Sequence, residues 1–156
     1  GNARILIQDE SIIKRRYEHF ITDYSEDDRH RIHHLRKWII ALLISYIRGN
    51  TARKHVTLEE LKEGIQLLHP NSDSTTSGNP VNNLSQNLRN VSKRQQSIQL
   101  KPPILSYDEN SHRLNVVDLG FLIWLRNVNL QVIDAAIALP EGDGDIKTFI
   151  DLLFDK

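Results

Sequence analysis

Between Ser74 and Tyr107 the chain carries no Asp or Glu, although it has 20 acidic residues in all. The stretch 81–101, VNNLSQNLRNVSKRQQSIQLK, is rich in Asn, Gln, Arg and Lys instead. Val81, Leu84, Leu88 and Val91 recur at helical spacing and predict one apolar stripe. The other face collects Asn82, Asn83, Gln86, Asn87, Arg89, Asn90, Lys93, Arg94, Gln95 and Gln96. A side-chain amide offers a donor and an acceptor together, which suits an adenine edge; Arg and Lys suit guanine or phosphate oxygens. Asn83, Gln86, Asn87 and Asn90 are therefore candidates for base edges, and Arg89, Lys93, Arg94 and Lys101 for phosphates. Arg53 and Lys54 are further candidate phosphate contacts. Asn82, Asn83, Asn87 and Asn90 each cost a helix roughly 0.5 kcal/mol relative to alanine. Natural sequences accept such a cost most readily at functional surfaces. The same face would also suit an acidic protein partner, or plain solvent.

Other candidate chemistry is thinner. His30 and His34 are one helical turn apart, the spacing of two metal ligands, but Asp27 is the only nearby third ligand and there is no Cys. A solvated or phosphate-facing helix end is the simpler reading. Lys14-Arg15-Arg16 is a short basic run that reads as a solvated helix face. Asp143 and Asp145 flank Gly144 without a calcium-loop pattern, so they read as a surface turn. No triad or nucleophile motif is present. We expect no catalysis, no metal and no cofactor.

The charges total zero, with 20 Lys and Arg against 20 Asp and Glu. They are spread unevenly: residues 49–107 hold seven basic against four acidic, and residues 108–156 hold four against nine. A neutral total argues against strong, sequence-blind polyanion binding and leaves room for a local basic face. No apolar run reaches membrane-span length, so no membrane partner is expected. The absence of Cys fits an intracellular setting, cytoplasm or nucleus. The chain starts at Gly1 and has no Met, so we expect a piece of a longer protein.

The elements that must position these residues read mostly as helices. One is predicted from about Asp9 to Tyr24. A second starts at Ser25-Glu26-Asp27-Asp28 and runs to about Arg48, with Trp38 among its apolar positions and Gly49-Asn50 as a left-handed cap. Thr57-Leu58-Glu59-Glu60 is a capping box opening a third helix to His69-Pro70. After the polar loop 70–80 comes the amide-rich helix to about Gln96, stopped by Pro102-Pro103. Ile104–Tyr107 and Arg113–Val117 read as a hairpin around the turn Asp108–His112. Asp118 caps a short helix containing Trp124. Two more helices follow, Leu130–Ala138 and Ile146–Phe154. The class is α+β, mostly α.

From Arg29 onward, the order long helix, capped helix, loop, polar helix, hairpin, helix resembles the winged-helix fold, a helix-turn-helix variant. The resemblance covers about 29–126. It implies an N-terminal arm at 1–28, the winged-helix domain at 29–126, and a helical extension at 127–156 packed on the core or at a homodimer contact. It further implies double-stranded DNA as partner, with 81–96 as the reading helix and Asp108–His112 as the wing. The segment PPILSYDENSHRLNVVDLGFLIWLRN also resembles winged-helix modules appended to multidomain P-loop ATPases, which implies a protein-interaction role in a larger assembly instead. Arg29 and His34 fit a loose Arg-x4-His pattern that resembles the catalytic motif of HEPN ribonucleases, an all-helical fold with no place for the hairpin.

Overall fold

The structure is a computed structural model that describes residues 15–26, 33–72 and 78–155. Lys14, Arg29, His30 and the lead-in to the first helix lie outside the described residues. Eight helices are seen among those described: α1 (15–25), α2 (Leu35–Gly49), α3 (Leu58–Leu68), α4 (Leu84–Arg89), α5 (Val91–Ser97), α6 (Leu119–Asn127), α7 (Leu130–Ile137) and α8 (Ile146–Phe154). A 3-10 turn at Pro80–Asn83 leads into α4. Three short strands complete the α+β fold: β1 (His55–Thr57), β2 (Leu105–Asp108) and β3 (Arg113–Val116).

The core forms around α2. Its residues Trp38–Ile47 are buried on every side, as expected of a helix that is apolar all round. It packs on α8 above all, with Trp38 and Phe149 rings 5.1 Å apart, and also on α3, α6 and β1. Tyr17 and Phe20 of α1 meet Phe121 at 5.2 and 5.3 Å. Burying each such side chain contributes about 1.5–3 kcal/mol before conformational entropy is subtracted.

The caps follow the sequence closely. The Thr57 hydroxyl accepts from the Glu60 N–H at 3.1 Å, and the Glu60 carboxylate accepts from the Thr57 N–H at 3.0 Å. Asp118 accepts from the Phe121 N–H at 3.0 Å and from the Tyr17 hydroxyl at 3.0 Å, tying α1 to α6. Basic side chains from neighbouring helices serve the opposite ends. Lys37 donates to the Ile137 carbonyl at the end of α7 (2.7 Å), and Arg48 to the Leu125 and Val128 carbonyls at the end of α6 (3.0 and 2.5 Å). Cations at helix C-termini satisfy orphan carbonyls and the dipole together.

Three expectations are corrected. The second helix does not run unbroken from its expected start, because His34 takes a left-handed φ of 51° and α2 begins at Leu35; Asp27 and Asp28 of that start lie outside the described residues. Gly49 is not a left-handed cap, since Asn50 after it is extended at φ −143°. Gly49 is instead a close-packing site, where a Cβ would lie 2.1 Å from the Phe154 ring. The predicted single helix 81–96 is three pieces, the 3-10 turn, α4 and α5, broken at Asn90 (φ −92°, ψ 5°).

A strand the sequence reading lacked, β1, completes the sheet. The order is β1-β3-β2, antiparallel throughout. Val56 pairs with Leu114 across β1 and β3, and Leu105 with Val116 across β2 and β3. The hairpin thus lies between β1, which leads directly into the capped α3, on one side and α5 on the other.

Candidate nucleic-acid interface

The segment 80–101 is anchored from beneath. Leu84, Leu88 and Val91 are buried, as their spacing predicts. Gln95 falls one helical turn after Val91 and is also buried, so the stripe continues with an amide. Its Oε1 accepts from the Ile104 and Leu105 N–H groups, both at 2.9 Å, and its Nε2 donates to the Leu105 carbonyl at 2.8 Å. A buried amide satisfied this way holds the hairpin against α5. Gln95 therefore does not belong to the outward face expected from the sequence; its spacing of four from Val91 is the signal that it points inward.

With this anchor, Asn83, Gln86, Arg89, Lys93 and Gln96 are exposed on α4, α5 and their lead-in. Arg89 is oriented by Gln86, whose Oε1 accepts from it at 3.1 Å. Asn87, within α4, and Asn90, at the break, are half-buried. Lys101 is exposed beyond α5.

Arg94 serves elsewhere. It donates to the carbonyls of Tyr24 (3.1 Å), Asp23 (2.5 Å) and Glu26 (3.1 Å), and so caps the end of α1. Arg53 is also engaged. It meets both Glu60 carboxylate oxygens at 2.6 Å and lies 5.1 Å from the Tyr46 ring centroid. Burial alone would raise the Glu60 pKa, but the bonds from Arg53 and Thr57 hold it below the usual value. Lys54 is exposed, but it heads β1, on the sheet edge opposite β2 and α5. Asn83, Gln86, Arg89, Lys93 and Lys101 are thus exposed along this segment, with Gln86 bonded to Arg89 and Arg89 and Lys101 lining one cleft, whereas Arg53 and Arg94 are engaged within the fold and Lys54 lies at the opposite sheet edge.

The hairpin turn carries Asp108 and Glu109. Asp108 is occupied within the turn, accepting from the Asn110 N–H at 2.9 Å and the Ser111 N–H at 3.4 Å. The Tyr107 hydroxyl sits 3.4 Å from the His112 Nδ1. Burial pushes the Tyr107 hydroxyl pKa up, and Glu109 adds to that. A cleft of about 340 Å³ opens between α5 and β2, lined by Leu88, Arg89, Gln96, Lys101, Leu105 and Tyr107 among others.

Among the described residues, no group of three His, Cys, Asp or Glu could hold a metal ion, and no helix is long and apolar enough to cross a membrane. His34 lies before α2 rather than within a helix, so helical ligand spacing does not apply to it. No protein-family model, no curated protein and no solved structure matches this chain.

Proposed function

We propose that the chain is a non-catalytic winged helix-turn-helix module that binds double-stranded DNA through α4 and α5. The observation that carries this reading is the outward set Asn83, Gln86, Arg89, Lys93 and Lys101, in a segment free of carboxylates from Ser74 to Tyr107. The amides suit base edges and the cations suit phosphates. The order α2, β1, α3, α4–α5, β2, β3, with its three-stranded antiparallel sheet, supports the winged-helix part.

The test is fluorescence anisotropy with a labelled duplex across a salt series. Three phosphate contacts give a log–log slope of about −2.7, or roughly a forty-fold loss between 50 and 200 mM salt. Absence of duplex affinity even at low salt defeats the reading.

A second reading, a protein-interaction module of a larger and ATPase-linked assembly, or a homodimer, is favoured by a different observation. Val117, Leu119 and Ile123 are 51, 66 and 60% exposed beside and along α6, and Glu109 at the hairpin turn repels phosphate. Concentration-dependent self-association, lost in Leu119→Ser with Ile123→Ser, favours the homodimer form of that reading.

A further inference from the structure

We propose that the cleft between α5 and β2 receives one unpaired nucleotide, so that the chain prefers nucleic acid carrying an unstacked base over uninterrupted duplex. This rests on the nucleic-acid reading above and specifies its ligand further.

The hydrogen-bonding pattern of β2 is the first support. Ser106 pairs with Asn115, Asp108 pairs with Arg113, and the Ile104 carbonyl accepts from the Val117 N–H at 2.9 Å. The Ile104 carbonyl and the main-chain groups of Ser106 and Asp108 therefore turn toward β3, and Leu105 and Tyr107 turn theirs outward. Gln95 takes both outward groups of Leu105. The N–H and C=O of Tyr107 are left facing the cleft, one donor beside one acceptor. That pair complements the donor and acceptor on a nucleobase edge.

The same pattern disfavours an added peptide strand. Strand addition needs a row of open edge groups. Here Gln95 closes the edge at Leu105, and the turn begins after Asp108, so a single residue is open.

Shape and charge agree with a nucleotide. The cleft volume of about 340 Å³ lies at the low end of the ~300–1,000 Å³ typical of small-ligand clefts. Leu88 and Leu105 supply an apolar floor, and the half-buried Tyr107 ring supplies a stacking surface. Exposed Arg89 and Lys101 stand among the lining residues, where a phosphate would sit. Glu109 lies toward the hairpin end, in a neighbouring hollow that shares Arg89 and Tyr107 with the cleft and adds Ser85 and His112, so the phosphate would sit at the Lys101 end.

The experiment compares two DNA duplexes that differ only by one bulged 2-aminopurine. The bulged duplex should bind about tenfold more tightly, with quenched 2-aminopurine emission as the base stacks. Lys101→Ala and Tyr107→Ala should each remove the preference, and Tyr107→Phe should keep it. Lys101 is exposed, so its variant decides the matter even if Tyr107→Ala fails to fold. Equal affinity for the two duplexes overturns this proposal and leaves the duplex reading standing. No affinity for either overturns both.

Discussion

Gln95 holds both main-chain polar groups of Leu105, donating to the carbonyl at 2.8 Å and accepting from the N–H at 2.9 Å. Leu105 begins an edge strand, so this one side chain supplies the pairing that a fourth strand would otherwise give. Helix α5 and the hairpin are thereby fixed relative to one another, which sets the width of the cleft between them.

Replacing Gln95 by Leu keeps the volume and removes every one of those bonds. Two buried N–H groups and one carbonyl would lose their partner, and each unsatisfied group costs about 1–3 kcal/mol. Partial hydration moderates the sum, so the expected loss is about 3 kcal/mol. Urea unfolding should show a lower midpoint with an unchanged slope. A midpoint within error of the parent would mean the clamp is not needed.

Arg94 and Lys93 are sequence neighbours with different expected roles. Arg94 donates to three carbonyls at the end of α1, whereas Lys93 is exposed. Arg94→Ala should lower stability by about 1–2 kcal/mol, and Lys93→Ala should change it by less than about 0.5 kcal/mol. Thermal unfolding of the two variants side by side checks the assignment.

The capping box at Thr57, the cap at Asp118 and the hairpin were all legible from residue type and spacing, whereas Asp145, which read as part of a surface turn, caps α8. Each depends on contacts within three or four residues. Gln95, Arg94 and Arg53 were not legible as structural residues, because their partners are distant in sequence or turned inward by packing. A break at Asn90 rotates everything after it, so an ideal helical wheel placed Arg94 outward with Asn83 and Gln86. β1 was missed for a related reason. Three residues around Val56 carry no periodicity, and only pairing with β3 makes them a strand.

Gly64 is buried in α3 against Leu42, and a Cβ there would lie 2.8 Å from Leu42 Cδ2. Leu42 is itself fully buried and has nowhere to move. Gly64→Ala gains about 1 kcal/mol of helix propensity and loses about 1–3 kcal/mol to overpacking. A net destabilisation of about 1 kcal/mol is expected in chemical denaturation. Restoring stability with Leu42→Val in the same chain would confirm that the clash is the cause.

His69 is buried and neutral. Its Nδ1 accepts from the Asn71 N–H at 3.0 Å, which leaves the proton on Nε2, 2.9 Å from the His33 carbonyl. Burial lowers its pKa, and the charges of His33 and His34 add to this, against the hydrogen bond to His33 and the attraction of Asp143. The unfolded chain binds a proton near pH 6.5 that the folded chain resists. This contribution is therefore fully present above about pH 6.5 and is lost as pH falls, at no more than about 1.4 kcal/mol per pH unit. Unfolding midpoints between pH 7.5 and 5 should decline, and His69→Leu should flatten that decline.

Reversing Arg89 and Lys93 together to Glu tests the binding face without touching α1. Among the described residues Arg89 bonds to Gln86 on its own helix, and Lys93 is exposed, so the fold should survive within about 0.5 kcal/mol. Arg94 is unsuitable for this purpose, since its loss would release the end of α1 and confuse unfolding with lost affinity. Removing two of three phosphate contacts should cut the salt slope from about −2.7 to about −0.9, and the added carboxylates should repel what remains. Duplex binding should therefore be undetectable at physiological salt. An unchanged slope with unchanged affinity would place the DNA contact on another surface, with Lys54 at the head of β1 and Arg113 on the central strand β3 as the next residues to reverse.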